Sequence, residues 1–317
     1  MTFKNFFQQV DIPAQCKKYD LPLWQCPSFL FLIMGMVIIV SSLTAYAFGA
    51  RYIADPVVVA LSVLLLSIVL LIMAFIITQG FERLAEASRL KSEFVSVVSH
   101  QLRSPLTNLK WTLDLLISGD VTDTKDKQLS YLNILQENSN RMGELVDDLL
   151  MVSRLESAKL LVKKEEFDLE KLIEEVIKEF SIFAKASNVE VVFHPQGNLP
   201  KVFNDPAQLK IVIENFLDNS VRYIKEKGRI QIKLSKKDKE ILFEIEDNGV
   251  GIPKKDQRYI FQKFFRSENI MRQQTQGSGL GLYICKGVIS RLGGKIGFRS
   301  EEGKESTFWF ALPLIKH

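Results

Sequence analysis

The chain begins with long stretches that carry no charge and continues with stretches in which apolar residues recur at fixed steps. No charged residue stands between Asp20 and Arg51, and Ser28 to Gly49 within that gap is almost wholly apolar. A bilayer takes roughly 20 helical residues to cross, so this run is long enough. A second uncharged run, Pro56 to Phe81, follows after a short connection. Neither run has the polar stripe of a buried soluble helix, and a helix satisfies its own backbone groups in lipid. The pattern predicts a two-helix transmembrane hairpin, with spans at 28–49 and 56–78. Asp55 is placed to cap the second helix, with Pro56 at its first position. Ser41, Ala45 and Gly49 are small residues at four-residue spacing, which lets helices approach closely.

Beyond the second span the period persists while polar residues enter. Residues 79–93 are charged but helix-favouring, and Leu84, Ala87 and Leu90 lead into a seam of Phe94, Val98, Leu102, Leu106, Leu109, Leu113 and Leu116. Pro105 lacks a backbone donor and is expected to kink or loosen this helix. Ser118-Gly119-Asp120 is a turn cluster. A second amphipathic helix is predicted from about Lys127 to Glu156, with Leu135, Asn138, Met142, Leu145, Leu149 and Val152 on one face. One such hairpin has little core, and two make a four-helix bundle. Residues 94–160 are therefore expected to form an all-α dimeric four-helix-bundle hairpin, which makes the protein a homodimer. From 165 to 315 the pattern mixes helices (168–186, 206–225) with strands (189–193, 229–234, 241–246, 306–312). It predicts a separate α/β sandwich large enough for its own core.

Charge refines this outline. Lys17 and Lys18 precede the hairpin and Arg83, Arg89 and Lys91 follow it, against Arg51 alone in the connection. The positive-inside rule puts both termini, including the 1–27 segment, in the cytoplasm. A net charge of +4 over 317 residues, with no basic face, gives no nucleic-acid footprint. The three cysteines (Cys16, Cys26, Cys285) form no CxxC pair, and with three dispersed histidines the chain has no zinc-ligand spacing.

His100 lies off the apolar seam, beside Arg103 and Ser104 and one turn before Pro105. The stretch Ser99-His100-Gln101-Leu102-Arg103-Ser104-Pro105-Leu106 resembles the phosphoacceptor box of bacterial sensor histidine kinases, commonly SHELRTPL. Ser153-Arg154-Leu155-Glu156 resembles the end of the family's hairpin. Downstream, four stretches resemble the family's ATP-binding boxes in the usual order. These are Asn215 to Tyr223, Asp247-Asn248-Gly249-Val250-Gly251, Phe261 to Arg266, and Gly277-Ser278-Gly279-Leu280-Gly281. A lone Asn-Gly pair would otherwise be a hairpin turn, and a lone glycine cluster a generic phosphate loop.

The resemblance implies a sandwich of the Bergerat, or GHKL, type that binds ATP and Mg²⁺. It implies that Asn219 holds the metal through its amide oxygen, since Mg²⁺ takes oxygen ligands. Asn215 and Arg222 would share its helix face, with Arg222 on phosphate and Tyr223 near adenine. Asp247 would accept from the adenine amino group while Gly249 and Gly251 let the nucleotide approach. Phe264 would belong to the phenylalanine box, with 267–276 a mobile lid. The amides around Gly277, Gly279, Leu280 and Gly281 would meet the phosphates. His100 would be phosphorylated and would pass the group to an aspartate of a separate response regulator, since the sequence shows no receiver domain. With so little extracytoplasmic chain, a partner membrane protein is a candidate signal source. The location expected is the bacterial cytoplasmic membrane, crossed twice.

Two residues depart from the family's box. Gln101 replaces an acidic residue that can act as a base, and Ser104 replaces a threonine used in dephosphorylation. The reference imidazole pKa of about 6.5 keeps the neutral form abundant near neutral pH. The resemblance thus implies a slow kinase that Gln101→Glu would speed, and a weak phosphatase that Ser104→Thr would improve. Two rival readings are a non-catalytic ATP-binding scaffold and another ATPase of the gyrase and Hsp90 type. The charge pattern makes its own prediction about topology. A reporter fused at Ala50-Arg51 should be exported and one fused after Lys91 should stay cytoplasmic; the reverse pattern would overturn the orientation.

Overall fold

The computed structural model describes residues 27–118, 125–157, 159–197, 199–225, 227–267 and 277–314. The segment before residue 27, the turn after Ser118 and the lid positions from 268 to 276 lie outside the described residues, as do Cys16 and Cys26. The chain divides into two units, Met1–His100 and Gln101–His317.

The first unit contains α1 (Pro27–Tyr52) and most of α2 (Pro56–Ser118). Both are long and apolar enough to cross a membrane. Their leucines and phenylalanines face outward, with Phe48 69%, Leu65 65% and Leu71 62% exposed. A surface of that composition suits lipid and not water. Asp55 caps α2 by accepting from the Val57 amide at 2.9 Å. The hydroxyls of Ser42 and Ser67 join the two helices at 2.8 Å. At Gly49 a Cβ would come within 2.7 Å of Val59, so the helices meet closely at that glycine. Ser41, Ala45 and Gly49 all lie on the less exposed side of α1.

α2 runs 63 residues, about 95 Å at 1.5 Å per residue. The helix continues without interruption through Pro105, which is buried. In the second unit α2 is followed by α3 (Lys125–Glu156). On α3 the buried positions are Asn138, Leu145 and Val152, seven residues apart, as the seam requires. On α2 the predicted seam residues Phe94, Val98, Leu102, Leu109 and Leu116 are half-buried. Pro105 and Thr112 are inside, whereas Leu106 and Leu113 are 56% and 46% exposed. Trp111, Ile117, Leu132 and Leu150 join Leu106 and Leu113 as exposed apolar residues of the hairpin.

The α/β part follows: β1 (Glu165–Phe167), α4 (Leu169–Ala186), β2 (Val189–Pro195), β3 (Val202–Asn204), α5 (Pro206–Arg222), β4 (Gly228–Lys237), β5 (Glu240–Asp247), α6 (Gly281–Arg291), β6 (Lys295–Glu301) and β7 (Glu305–Pro313). A five-stranded sheet has the order β2-β4-β5-β7-β6, antiparallel except for β2 with β4. β1 and β3 form a separate antiparallel pair. The sequence pattern missed β1, β3 and β6. The first two are three residues each, and β6 is an edge strand without clean alternation. α5 also ends at Arg222, earlier than its composition suggested.

Strand period two builds the core. Ile230, Ile232 and Leu234 of β4, Ile241, Phe243 and Ile245 of β5, and Phe310 and Leu312 of β7 are fully buried. They meet Ile173 and Val176 of α4, Phe216 of α5, and Ile284 and Val288 of α6, all equally buried. Phe216 is the hub, with ring centroids 5.5 Å from Phe308, 6.4 Å from Phe243 and 6.5 Å from Phe310. The helices are capped locally. Asp168 accepts from the Glu170 amide at 3.0 Å, and Asp205 accepts from Gln208 at 3.1 Å and from Lys163 at 2.8 Å. Truncating a fully buried phenylalanine costs about 3–5 kcal/mol. Phe216→Ala should therefore lower unfolding stability by that amount in urea melts, whereas Phe183→Ala, at a 44% exposed position, should cost far less.

Candidate functional site

The face of α5 turned away from Phe216 is polar. Asn215, Asn219 and Arg222 recur there at steps of four and three, which places them on one side of a helix. They line a cavity of about 400 Å³ together with Tyr223, Phe265, Arg266 and the loop from Gly277 to Gly281. The opposite wall comes from the helical hairpin: Gln101 and Pro105 of α2, and Arg141, Glu144 and Asp148 of α3.

Each polar side chain is held by a specific contact. Asn215 donates its amide to the Ile211 carbonyl at 2.9 Å, fixing the amide plane. Its oxygen then faces the loop so closely that a Cβ on Gly281 would be 2.3 Å away. Asn219 lines the cavity with no side-chain partner among the described residues, so its amide oxygen is available to a cation. Arg222 donates Nε to Asp218 at 2.7 Å. Arg266 donates to the Gly277 carbonyl at 3.2 Å. Burial lowers the pKa of Arg266, and the nearby Arg141 and Arg222 guanidiniums push the same way against the opposing effect of Tyr223. Three guanidiniums drawn to one cavity form a place for a polyanion.

The loop that opens α6 is shaped by its neighbours. Gly279 has φ 72°, and a Cβ there would lie 2.9 Å from the Phe264 backbone. The Phe264 amide in turn donates to the Gly279 carbonyl at 2.9 Å, so the phenylalanine box and the loop are tied directly. Ser278 carries two ties to the hairpin. Its hydroxyl donates to Asp148 at 2.6 Å, and its carbonyl accepts from the Gln101 side-chain amide at 3.2 Å. The same hydroxyl accepts from the Leu280 amide at 3.1 Å. Burial raises the Asp148 pKa, opposed by the bond from Ser278. Further along α3, Glu156 pairs with Lys263, and a Cβ on Gly287 of α6 would meet Leu155 at 2.8 Å.

The remaining sequence candidates lie elsewhere. Asp247, Gly249, Gly251, Phe264 and Leu280 do not line this cavity. Leu280 is fully buried in the core, so its side chain serves packing. Gly249 is needed because a Cβ would fall 2.7 Å from the Tyr223 carbonyl and from Asp247. Gly251, at φ 64°, would clash with the Glu301 carbonyl at 2.0 Å. The chain itself thus demands both glycines. His100 and Ser104 are exposed on α2. Of the predicted lid, 267–276, only Ser267 is described; it is buried and bonds to Asp256. Sequence reading had not placed Arg141, Glu144, Asp148, Phe265, Arg266 or Ser278 among the site residues. Arg266 and Ser278 stood inside motifs already noticed, but Asp148 meets its partner across 130 residues and left no local signal.

Asp247 occupies an inward position of β5, in phase with Phe243 and Ile245, and is 3% exposed. It accepts from the Gly249 amide at 3.0 Å and the Ser220 hydroxyl at 3.3 Å. Burial outweighs these bonds and raises its pKa to about 7. With a folded pKa above the unfolded one, its contribution to stability is full below about pH 4 and is lost as pH rises through about 7.

An α/β sandwich whose polar helix face and glycine loop line a cavity against a helical hairpin has the makings of a nucleotide-binding module. Two family models match. Residues 90–158 match the "His Kinase A (phospho-acceptor) domain" and residues 204–316 the "Histidine kinase-, DNA gyrase B-, and HSP90-like ATPase". The chain belongs to the two-component sensor histidine kinases. It is similar to the signal transduction histidine-protein kinase BarA of Escherichia coli (strain K12), at 31% identity over 239 residues, 74% of this chain and 26% of BarA. The chain thus spans about a quarter of the length of that relative. Among solved structures, the histidine kinase AdeS of Acinetobacter baumannii has a TM-score of 0.55 at 26% identity, covering 68% of this chain and 98% of the other. ShkA in complex with AMPPNP has a TM-score of 0.53 at 26% identity, covering 70% and 45%.

The buried carboxyl gives a direct test. Asp247→Asn removes the ionisation penalty, so without nucleotide the variant should gain melting temperature over wild type at pH 8.5 but much less at pH 5. An equal difference at both pH values would show that Asp247 does not titrate as described.

Proposed function

We propose that this protein is a two-pass sensor kinase of the bacterial cytoplasmic membrane, both termini inside, that phosphorylates itself on His100 from ATP. The phosphoryl group then passes to an aspartate of a separate response regulator. The observation that carries the reading is the cavity in which Asn215, Asn219, Arg222 and the 277–281 loop face Gln101, the residue next to His100 in α2. The phosphoacceptor family match upstream favours this over a gyrase- or Hsp90-type ATPase. The second family match, and the nucleotide analogue in ShkA, support ATP as the ligand.

In the reaction an imidazole nitrogen of His100 forms an N–P bond as the γ-phosphorus to oxygen bond breaks. ADP leaves and the ring loses a proton to solvent. Phosphoryl transfer asks mainly for positioning and charge stabilisation. Arg222 and Arg266 supply positive charge, and the amides of the glycine loop supply donors at a helix start. Asn219 and the ATP phosphates would hold Mg²⁺, which neutralises charge developing on the phosphates. Tyr223, largely buried, offers a face for the adenine, and ionised Asp247 an acceptor for its amino group. Because the ionised carboxylate is the stronger, charge-assisted acceptor, ATP affinity should weaken as pH falls through about 7. Ser104, exposed one turn after His100, can orient a water for hydrolysis of the regulator's aspartyl phosphate, which releases inorganic phosphate and the free carboxylate.

A homodimer brings two hairpins together, and the exposed Leu106, Leu113, Ile117, Leu132 and Leu150 are residues such an interface would cover. The lipid-facing surface of α1 and α2 is equally suited to a partner membrane protein as the source of the signal.

Incubating the protein with γ-labelled ATP should give acid-labile, base-stable label that is lost in His100→Ala. Asn219→Ala should abolish labelling while leaving the melting temperature within a few degrees. Hydrolysis without label, or full labelling of the Asn219 variant, would overturn the assignment.

A further inference from the structure

The loop that opens α6 is anchored by the hairpin at one residue, Ser278. Gln101 of α2 and Asp148 of α3 reach it from two helices and use different atoms, the carbonyl and the hydroxyl. The carbonyl of Ser278 can only accept, so Gln101 must present its N–H to it. A carboxylate at position 101 would set one acceptor against another. The hydroxyl of Ser278 accepts from Leu280 while donating to Asp148, so its hydrogen is committed to the carboxylate.

Resting on the kinase reading above, we infer that Gln101 and Asp148 are positioning residues that dock the phosphate loop on the phosphoacceptor hairpin. The glutamine beside His100 is a fitted donor, and not a base that has been lost. The chemistry is consistent with this division of labour. The neutral imidazole attacks with its own lone pair as the P–O bond to ADP breaks, and the ring proton leaves to solvent afterwards. That step needs no base in the transition state but does need the phosphate held in line. The bond from Gln101 holds the loop by the residue that follows His100 in the chain. It also reverses the expectation from the family's box, because glutamate at 101 would remove the donor on which the docking depends.

Two readouts test the inference on the full chain in detergent or nanodiscs. The first is amide hydrogen exchange of residues 277–282 without nucleotide. Gln101→Met and Asp148→Ala should each speed exchange there by about ten-fold, the effect of one lost hydrogen bond. The second is the initial rate of His100 labelling at saturating ATP, with ATP affinity measured separately. Gln101→Glu should label about ten-fold more slowly than wild type, and more slowly than Gln101→Met, with ATP affinity changed less than two-fold. A side chain that merely shapes α2 would not rank glutamate below methionine. Unchanged exchange in both variants would overturn the docking. A labelled wild type with an equal or faster Gln101→Glu would overturn the positioning role alone. An unlabelled wild type would remove the kinase reading and that role together.

Discussion

The structure depends on α5 having two faces that cannot be exchanged. One carries Leu209, Val212, Ile213, Phe216 and Leu217, all fully buried against the sheet. The other carries Asn215, Asn219 and Arg222 toward the cavity. Burial of the first face fixes the rotation of the helix, and rotation fixes where the amides point. A rotation of one residue, about 100°, would put asparagines into an aromatic core, where an unpaired amide costs several kcal/mol. The phenylalanine cluster around Phe216 is thus the reason the polar row is held in register with the glycine loop.

Charge in the cavity is kept in balance by its two walls. The α/β part brings Arg222 and Arg266, and the hairpin adds Arg141, but Glu144, Asp148 and Asp218 stand among them. The site is therefore not a bare basic pocket. Arg222 is already oriented by Asp218 and Ser278 by Asp148. Groups oriented before the ligand arrives cost less to arrange at the moment of reaction. The hairpin supplies much of that orientation, so the two parts of the second unit are coupled through polar contacts as well as through Leu155 against α6.

Much of this was legible in the chain. The uncharged runs specified two helices long enough for a bilayer, because composition alone decides what a helix can expose to lipid. The α3 seam from Leu135 to Val152 was read position by position, since its period is carried by the residues themselves. The polar face of α5 followed from spacing in the same way, and so did the alternation that makes β4 and β5. Asp247 was noticed as a motif residue after the strand; its place on β5 and its burial came only with the structure.

What the sequence determined by itself was periodicity: which stretches are helices or strands, which faces are apolar, and which polar residues share a face. It could not decide phase between elements or the pairing of distant side chains. Along α2, Pro105 and Thr112 are buried beside the half-buried Leu102, Leu109 and Leu116, whereas Leu106 and Leu113 stay exposed in the single chain, a split that spacing alone did not show. Gly249 and Gly251 read as room for a nucleotide; that the Tyr223 and Glu301 carbonyls also exclude a Cβ there was not legible in the chain. Gln101 read as a residue in place of a base, and its bond to Ser278, 177 residues away, could not be read from the chain. A hydrogen bond across that separation leaves no periodic trace, because its partners are brought together by packing and by nothing nearer in the chain.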